Sequence, residues 1–225
     1  MENNKKIFII IPAWNEEKNI SSVLDELTTQ YENIVVINDS STDKTSEIVK
    51  KYPVVLLEHI INRDQGASLQ TGNDYALKNG ADIIVHFDAD GQFLVNEIKD
   101  LINPIMNGDY DIVFGSRFME KQSEIPWSKK NIIFPLARIV NKIMFGIKTT
   151  DPQSGFRAMT RESAEKIKIE HDRKAHCSEI LHKAFKYKLK IKEVPMTVIY
   201  NRFGQNFSGG ITIVKDLIIK KILLL

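Results

Sequence analysis

Two carboxylates spaced two residues apart close an apolar run, as Ile83-Ile84-Val85-His86-Phe87 leads into Asp88-Ala89-Asp90-Gly91-Gln92. Side chains alternate along an extended chain, so Asp88, Asp90 and Gln92 are expected to converge beyond the strand's end as an oxygen-lined pocket for a hard divalent cation. A solvated acidic turn is the plain alternative for a D-x-D taken alone. An EF-hand calcium loop is excluded, because its twelfth position counted from Asp88 falls on Lys99, where a bidentate Glu is required. No G-x-G-x-x-G or G-x-x-x-x-G-K-[ST] occurs, so neither a dinucleotide fingerprint nor a P-loop is supported. No H-x-x-x-H, paired Cys or G-x-S-x-G points to zinc or to a serine nucleophile. His86, inside the strand, reads as a satisfied neighbour of the site rather than a ligand.

The elements that must carry these carboxylates alternate. Residues 6–12 form an apolar run of the kind buried on both faces of a parallel sheet. A helix follows, with Ile20, Val23, Leu24 and Leu27 on one face and Glu16 and Glu17 expected in its first turn. Further strands are expected at 33–38, 54–57, 83–87 and 110–114, with helices at 44–51, 67–78 and 94–106. This rhythm predicts an α/β fold, a mostly parallel sheet flanked by helices, whose ligands lie at the carboxyl ends of the strands. Asp39, Asp88, Asp90 and Arg117 all fall there. Beyond residue 120 the pattern changes. A polar loop at 121–130 precedes an apolar stretch at 131–145, read as a buried helix or one resting on a membrane. A turn at 151–157 enters a short strand, a helix is expected at 178–188, and 191–200 reads as an edge strand that tolerates Pro195.

The 225 residues suffice for one sizeable core. A single cysteine, Cys177, excludes an internal disulfide and suits a reducing compartment. Neither a signal peptide nor a transmembrane helix is expected. The net charge of +2 conceals an asymmetry: residues 1–120 carry ten Lys and Arg against twenty Asp and Glu, and residues 121–225 carry twenty-one against nine. An acidic half suits a metal, and a basic half suits phosphates or an anionic membrane surface.

Five segments, Pro12-Ala13-Trp14-Asn15-Glu16-Glu17, Asn38-Asp39-Ser40-Ser41-Thr42-Asp43, Asp88-Ala89-Asp90-Gly91-Gln92, Gly115-Ser116-Arg117 and Ser154-Gly155-Phe156-Arg157, stand in the order seen in family 2 glycosyltransferases. The chain resembles most the branch that transfers sugars to polyprenyl phosphates, over about residues 6–210. The resemblance implies a GT-A, Rossmann-like catalytic domain at 1–210, with a nucleotide-sugar half at 1–117 and an acceptor half at 118–210. It also implies inverting transfer from a nucleotide-diphosphate sugar with Mg²⁺ or Mn²⁺. Carried over by position, Pro12, Ala13, Trp14 and Glu16 would line the nucleoside pocket. Asp39 would hold the base or ribose, and Asp88 the sugar or ribose side. Asp90 and Gln92 would ligate the metal with Asp88 near enough to join them, Arg117 would face the acceptor phosphate or the donor diphosphate, and Arg202 would clamp the diphosphate.

Three departures stand out. The family's Asp-Asp-Gly-Ser is Asn38-Asp39-Ser40-Ser41, its Asn-x-Gly-Lys-Gly is Asn62-Arg63-Asp64-Gln65-Gly66, and a late Arg-x-x-Gly-x-Ser-Lys lacks its Lys at 202–209. A polyprenyl-phosphate acceptor is already an anion and needs no base; a glycan hydroxyl needs one, for which Asp151 and Glu179 are the candidates. Residues 211–225 read as an amphipathic helix for an anionic membrane surface, or for packing on the core or in a homodimer. The expected location is cytoplasmic, peripheral on the inner face of the membrane. Nucleic acid is not an expected partner. A sugar nucleotidyltransferase is disfavoured because Pro12-Ala13-Trp14-Asn15 is not a Gly-rich phosphate loop, and a non-catalytic nucleotide-sugar-binding protein is the remaining alternative.

Overall fold

The computed structural model describes residues 5–119, 149–173 and 175–199. Runs such as Ile-Phe-Ile-Ile-Ile can be covered on both faces only in the middle of a layered sheet. Accordingly β1 (Ile7–Ala13) lies between β2 (Asn33–Asn38) and β4 (Ile83–His86), parallel to both, and β3 (Val55–Glu58) extends the sheet beyond β2. On the other side β5 (Ile112–Ser116) pairs in parallel with β7 (Ile191–Pro195), which forms the edge. The gap between β4 and β5 is filled by β6 (Arg157–Thr160), antiparallel to both. The sheet order is β3-β2-β1-β4-β6-β5-β7. Strands from before and after residue 118 therefore share one sheet.

Alternation divides the core in two. Ile9, Ile11, Val85 and Val113 pack on one face against α1 (Ile20–Leu27) and α4 (Ile98–Met106). Phe8, Ile10, Ile84 and Ile112 face α3 (Asp64–Lys78), α5 (Arg161–Lys166) and α6 (His176–Lys186). The short α2 (Thr45–Val49) adds Val49 to the first cluster.

Several boundaries differ from expectation for local reasons. Glu16 and Glu17 precede α1 rather than opening it. Their backbone N–H groups donate instead to Thr45 Oγ1 (2.8 Å) and Asp43 Oδ2 (3.0 Å) of the neighbouring loop. Helix α3 starts at Asp64, absorbing part of the expected loop. Gly115 and Ser116 belong to β5. The two aspartates are not brought together by strand alternation, because β4 ends at His86 and a turn through Gly91 (φ 71°) presents them. Helix α5 was not expected; its signal is Thr160, whose hydroxyl accepts Ser163 N–H as an N-cap. Arg202, the amphipathic segment 211–225 and the stretches 121–130 and 131–145 lie outside the described residues.

Helix α3 sits close to the sheet at Gly72, where an added Cβ would meet Ile10 Cγ2 at 2.2 Å and Ile37 Cδ1 at 2.8 Å. Gly→Ala in an open helix interior stabilises by about 0.5–1 kcal/mol. Here overpacking reverses the sign, and Gly72→Ala is expected to destabilise by about 1–3 kcal/mol in urea unfolding.

Candidate active site

The carboxyl ends of β1 and β2 carry loops stitched to each other. Asn15 N–H donates to Ser41 Oγ (3.0 Å), and Asn15 Oδ1 accepts Thr42 N–H (2.9 Å). Asn15 and Ser40 hold left-handed backbones at φ 55° and 59°, a local strain that these side-chain bonds fix. Pro12 and Ala13 end β1, and Trp14 beyond them is 56% exposed, offering an aromatic face at the mouth. Glu16 lies behind it; burial is the main cause raising its carboxyl, countered by a bond from Asn19 and reinforced by Asp90 and Asp43. Asp39 is buried. Its carboxylate accepts Arg63 N–H (3.0 and 3.1 Å) and meets His59 Nδ1 at 2.7 Å, while His59 Nε2 meets Thr71 Oγ1 at 2.9 Å. Asp39 thus ties the loop after β3 to the end of β2, at the place where a base or ribose was expected.

At the end of β4, Asp88 is partly accessible. Gln65, in the first turn of α3, donates Nε2–H to Asp88 Oδ1 at 2.7 Å. Gly155 closes the other side, where a Cβ would stand 2.9 Å from Asp88 Oδ2. Burial first, and then the neighbouring Asp90 and Cys177, push the Asp88 carboxyl up to about 7 against the opposing pull of Arg157 and His176. Burial likewise raises Asp90, whose Oδ1 accepts Gln92 N–H (3.0 Å). Among the described residues no hydrogen bond engages Asp90 Oδ2 or the Gln92 side-chain amide. Two carboxylates with elevated proton affinity and one free amide oxygen match a hard cation, which favours oxygen ligands and takes the rest of its shell from water and substrate phosphates. No cluster of three or more His, Cys, Asp or Glu side chains suited to a metal occurs among the described residues, so the fit is to that partial set. His86 is buried, with Nε2 2.8 Å from Asn73 Oδ1; burial and the nearby Arg157 and His176 hold it neutral, off the ligand set.

Among the described residues, the other expected ones are already engaged. Arg117 Nε and Nη2 each stand 2.6 Å from the carboxylate of Asp151, which also accepts Arg117 N–H, so these two join as a bidentate ion pair. Glu193 of β7 accepts the N–H groups of Thr150 and Asp151, locking this turn to the sheet edge. Glu179, on α6, accepts Glu170 and His171 N–H and pairs with Lys183 at 2.8 Å. Burial works to raise its carboxyl, but Lys183 and those two N–H groups prevail and hold it low, the wrong direction for a base. Glu179 thereby holds the 170–173 segment, whose Asp172 carbonyl accepts Gly66 N–H (2.6 Å) beside Gln65. Residue-by-residue reading missed Gln65, Gly155 and Glu193 as site-forming groups; the available clue was Gln65 standing where the family pattern has Lys.

A raised carboxyl favours the protonated folded state, so its contribution is lost as pH climbs from its unfolded value of 3.8 through about 7. Carboxyls held low, such as Glu179, act below this range. In chelator, Asp88→Asn is expected to gain melting temperature relative to the wild-type protein as pH rises from 5 to 8, a difference in which the opposite contributions of Cys177 and His86 cancel and which a paired pH series of thermal melts measures.

Known proteins share the sequence pattern and the fold of this chain. Residues 8–168 match the family model Glycosyl transferase family 2. A UDP-N-acetylglucosamine–dolichyl-phosphate N-acetylglucosaminyltransferase of Methanococcus voltae is 34% identical, over 97% of this chain and 97% of its own. A dolichyl-phosphate beta-glucosyltransferase of Trichomonas vaginalis is 34% identical, over 93% of this chain and 71% of its own. Among solved structures, glucosyl-3-phosphoglycerate synthase from Mycobacterium tuberculosis, in complex with Mn²⁺, UDP and phosphoglyceric acid, superposes with a TM-score of 0.75 at 18% identity, over 96% of this chain and 76% of that one. That likeness fixes the fold as GT-A. The chain belongs to glycosyl transferase family 2 and is a glycosyltransferase.

Proposed function

We propose that this enzyme transfers a sugar from a UDP-sugar to a polyprenyl phosphate, with a divalent cation held by Asp90, Gln92 and Asp88. The observation that carries the acceptor class is the engagement of both candidate bases: Asp151 is locked in a bidentate pair with Arg117, and Glu179 is tied to Lys183 and to two backbone amides. A sugar hydroxyl needs a proton acceptor within reach, whereas a phosphate monoester attacks as an anion without one. The named activities of the Methanococcus and Trichomonas relatives, both on dolichyl phosphate, support the same class, and the relative from Methanococcus and the UDP-bound structural neighbours support uracil as the donor base.

In this reading, Pro12, Ala13 and Trp14 wall the nucleoside, Glu16 lies behind them, and Asp39 holds the base or ribose edge through its tie to His59 and Arg63. Asp88, held by Gln65, faces the sugar or ribose and leaves Asp90 and Gln92 to do most of the metal holding. The cation, when bound, supplies positive charge to the departing diphosphate. The acceptor phosphate oxygen attacks the anomeric carbon opposite the diphosphate; the new carbon–oxygen bond forms as the old one breaks, inverting that centre. Arg117, oriented by Asp151, flanks the phosphates, and Arg202 serves as a further clamp. The enzyme works at the inner membrane face, where the basic second half and residues 211–225 meet anionic headgroups; no helix among the described residues is long and apolar enough to cross a membrane.

The test incubates the protein with UDP-N-acetylglucosamine or UDP-glucose, Mn²⁺ or Mg²⁺ and a polyprenyl phosphate, and follows lipid-linked sugar, with GDP- and TDP-sugars as controls. Asp90→Ala is expected to abolish turnover with an unchanged melting curve. Turnover by that variant in metal-free buffer would overturn the metal-assisted reading.

A further inference from the structure

Arg157 opens β6 fully buried, and among the described residues it has no carboxylate partner. A guanidinium without exposure is costly unless its donors are met. Its Nε donates to the carbonyl of Gly155 (3.2 Å) and its Nη2 to the sulfur of Cys177 (3.4 Å), while Nη1 has no partner. Cys177 stands in the first turn of α6, its sulfur also 3.4 Å from His176 Nε2. Burial opposes thiolate formation there, while His176 and Arg157 draw the thiol down to about 6, the direction expected of a sulfur that accepts from a guanidinium.

The consequence lies two residues away. Gly155, whose carbonyl Arg157 holds, is the wall against Asp88 Oδ2, opposite the Gln65 amide on Oδ1. We propose that Arg157 and Cys177 are positioning residues for Asp88, with α6 holding the guanidinium by its sulfur and the guanidinium holding Gly155 against the carboxylate. Neither touches substrate. Supporting groups of this kind orient ligand side chains, and their loss typically weakens metal affinity or activity by about 10–100-fold.

The inference rests on the metal reading above, and the experiment separates the two. UDP is titrated calorimetrically with and without Mn²⁺, and the ratio of the two affinities isolates the metal-dependent part. Cys177→Val keeps the volume and removes the acceptor; it is expected to lower that ratio about tenfold while metal-free UDP affinity stays within about twofold. Cys177→Ser, which restores an acceptor, is expected to stay within about twofold of wild type. Arg157→Lys keeps the charge without the fork and is expected to match Cys177→Val, which covers the case of a valine variant that fails to fold. A ratio of one in the wild-type protein refutes the metal reading. A wild-type ratio in folded Cys177→Val or Arg157→Lys refutes the positioning role. A ligand-free crystal structure of either variant decides the geometry independently of donor chemistry: Asp88 leaving the Gln65 amide supports the proposal, and Asp88 unmoved overturns it.

Discussion

A carboxylate only partly accessible to water, in the turn after a central strand, is the constraint around which this enzyme is arranged. Asp88 cannot be ionised cheaply where it stands, since burial and Asp90 both oppose the charge. The protein answers with neutral or distant support: an amide donor on one oxygen, a glycine wall beside the other, and a guanidinium set behind the wall. A direct ion pair would quench the carboxylate. The arrangement leaves it with an unmet demand for positive charge, and a divalent cation is the natural answer.

The same logic explains which charges are fully paired. Arg117 and Asp151, and Glu179 and Lys183, are neutralised locally, Asp39 is held by hydrogen bonds from Arg63 N–H and a contact with His59, and each of these ties fastens one segment to another. They build the rim. Asp88 and Asp90 stay under-compensated inside it, and that uneven distribution of compensation is what the proposed metal site would draw on.

Much of this could be read from residue order. Apolar runs at 7–13, 33–38 and 83–86 are continuous because both faces are covered, and the helical spacing of Ile20, Val23, Leu24 and Leu27 reports one buried stripe. The short polar clusters at strand ends were legible as turns because local chemistry specifies turns, and the structure gathers them at one end of the sheet as the candidate site. Long-range pairing was not legible. Arg117 and Asp151 are 34 positions apart, and Gln65 and Asp88 are 23 apart, so nothing local links them. Glu179 looked like a free acid although Lys183, one helical turn on, was visible as its partner. The presentation of Asp88 and Asp90 by a turn was also hidden, since a strand's last residue depends on where its neighbours stop.

The place of β6 between β4 and β5 bears on how the chain acquires its shape during synthesis. Strand β4 and strand β5 are both made before β6, and forty residues separate Ser116 from Arg157. Until β6 emerges, the facing edges of β4 and β5 have unmet backbone groups, and their direct pairing would be a non-native trap of the kind that slows non-local sheets. The strand that carries Arg157 is thus also the one that joins the two parts of the sheet. A nascent chain gains Arg157 in the same step as the strand that bridges β4 and β5, while Cys177 of α6 and the edge strand β7 follow it out.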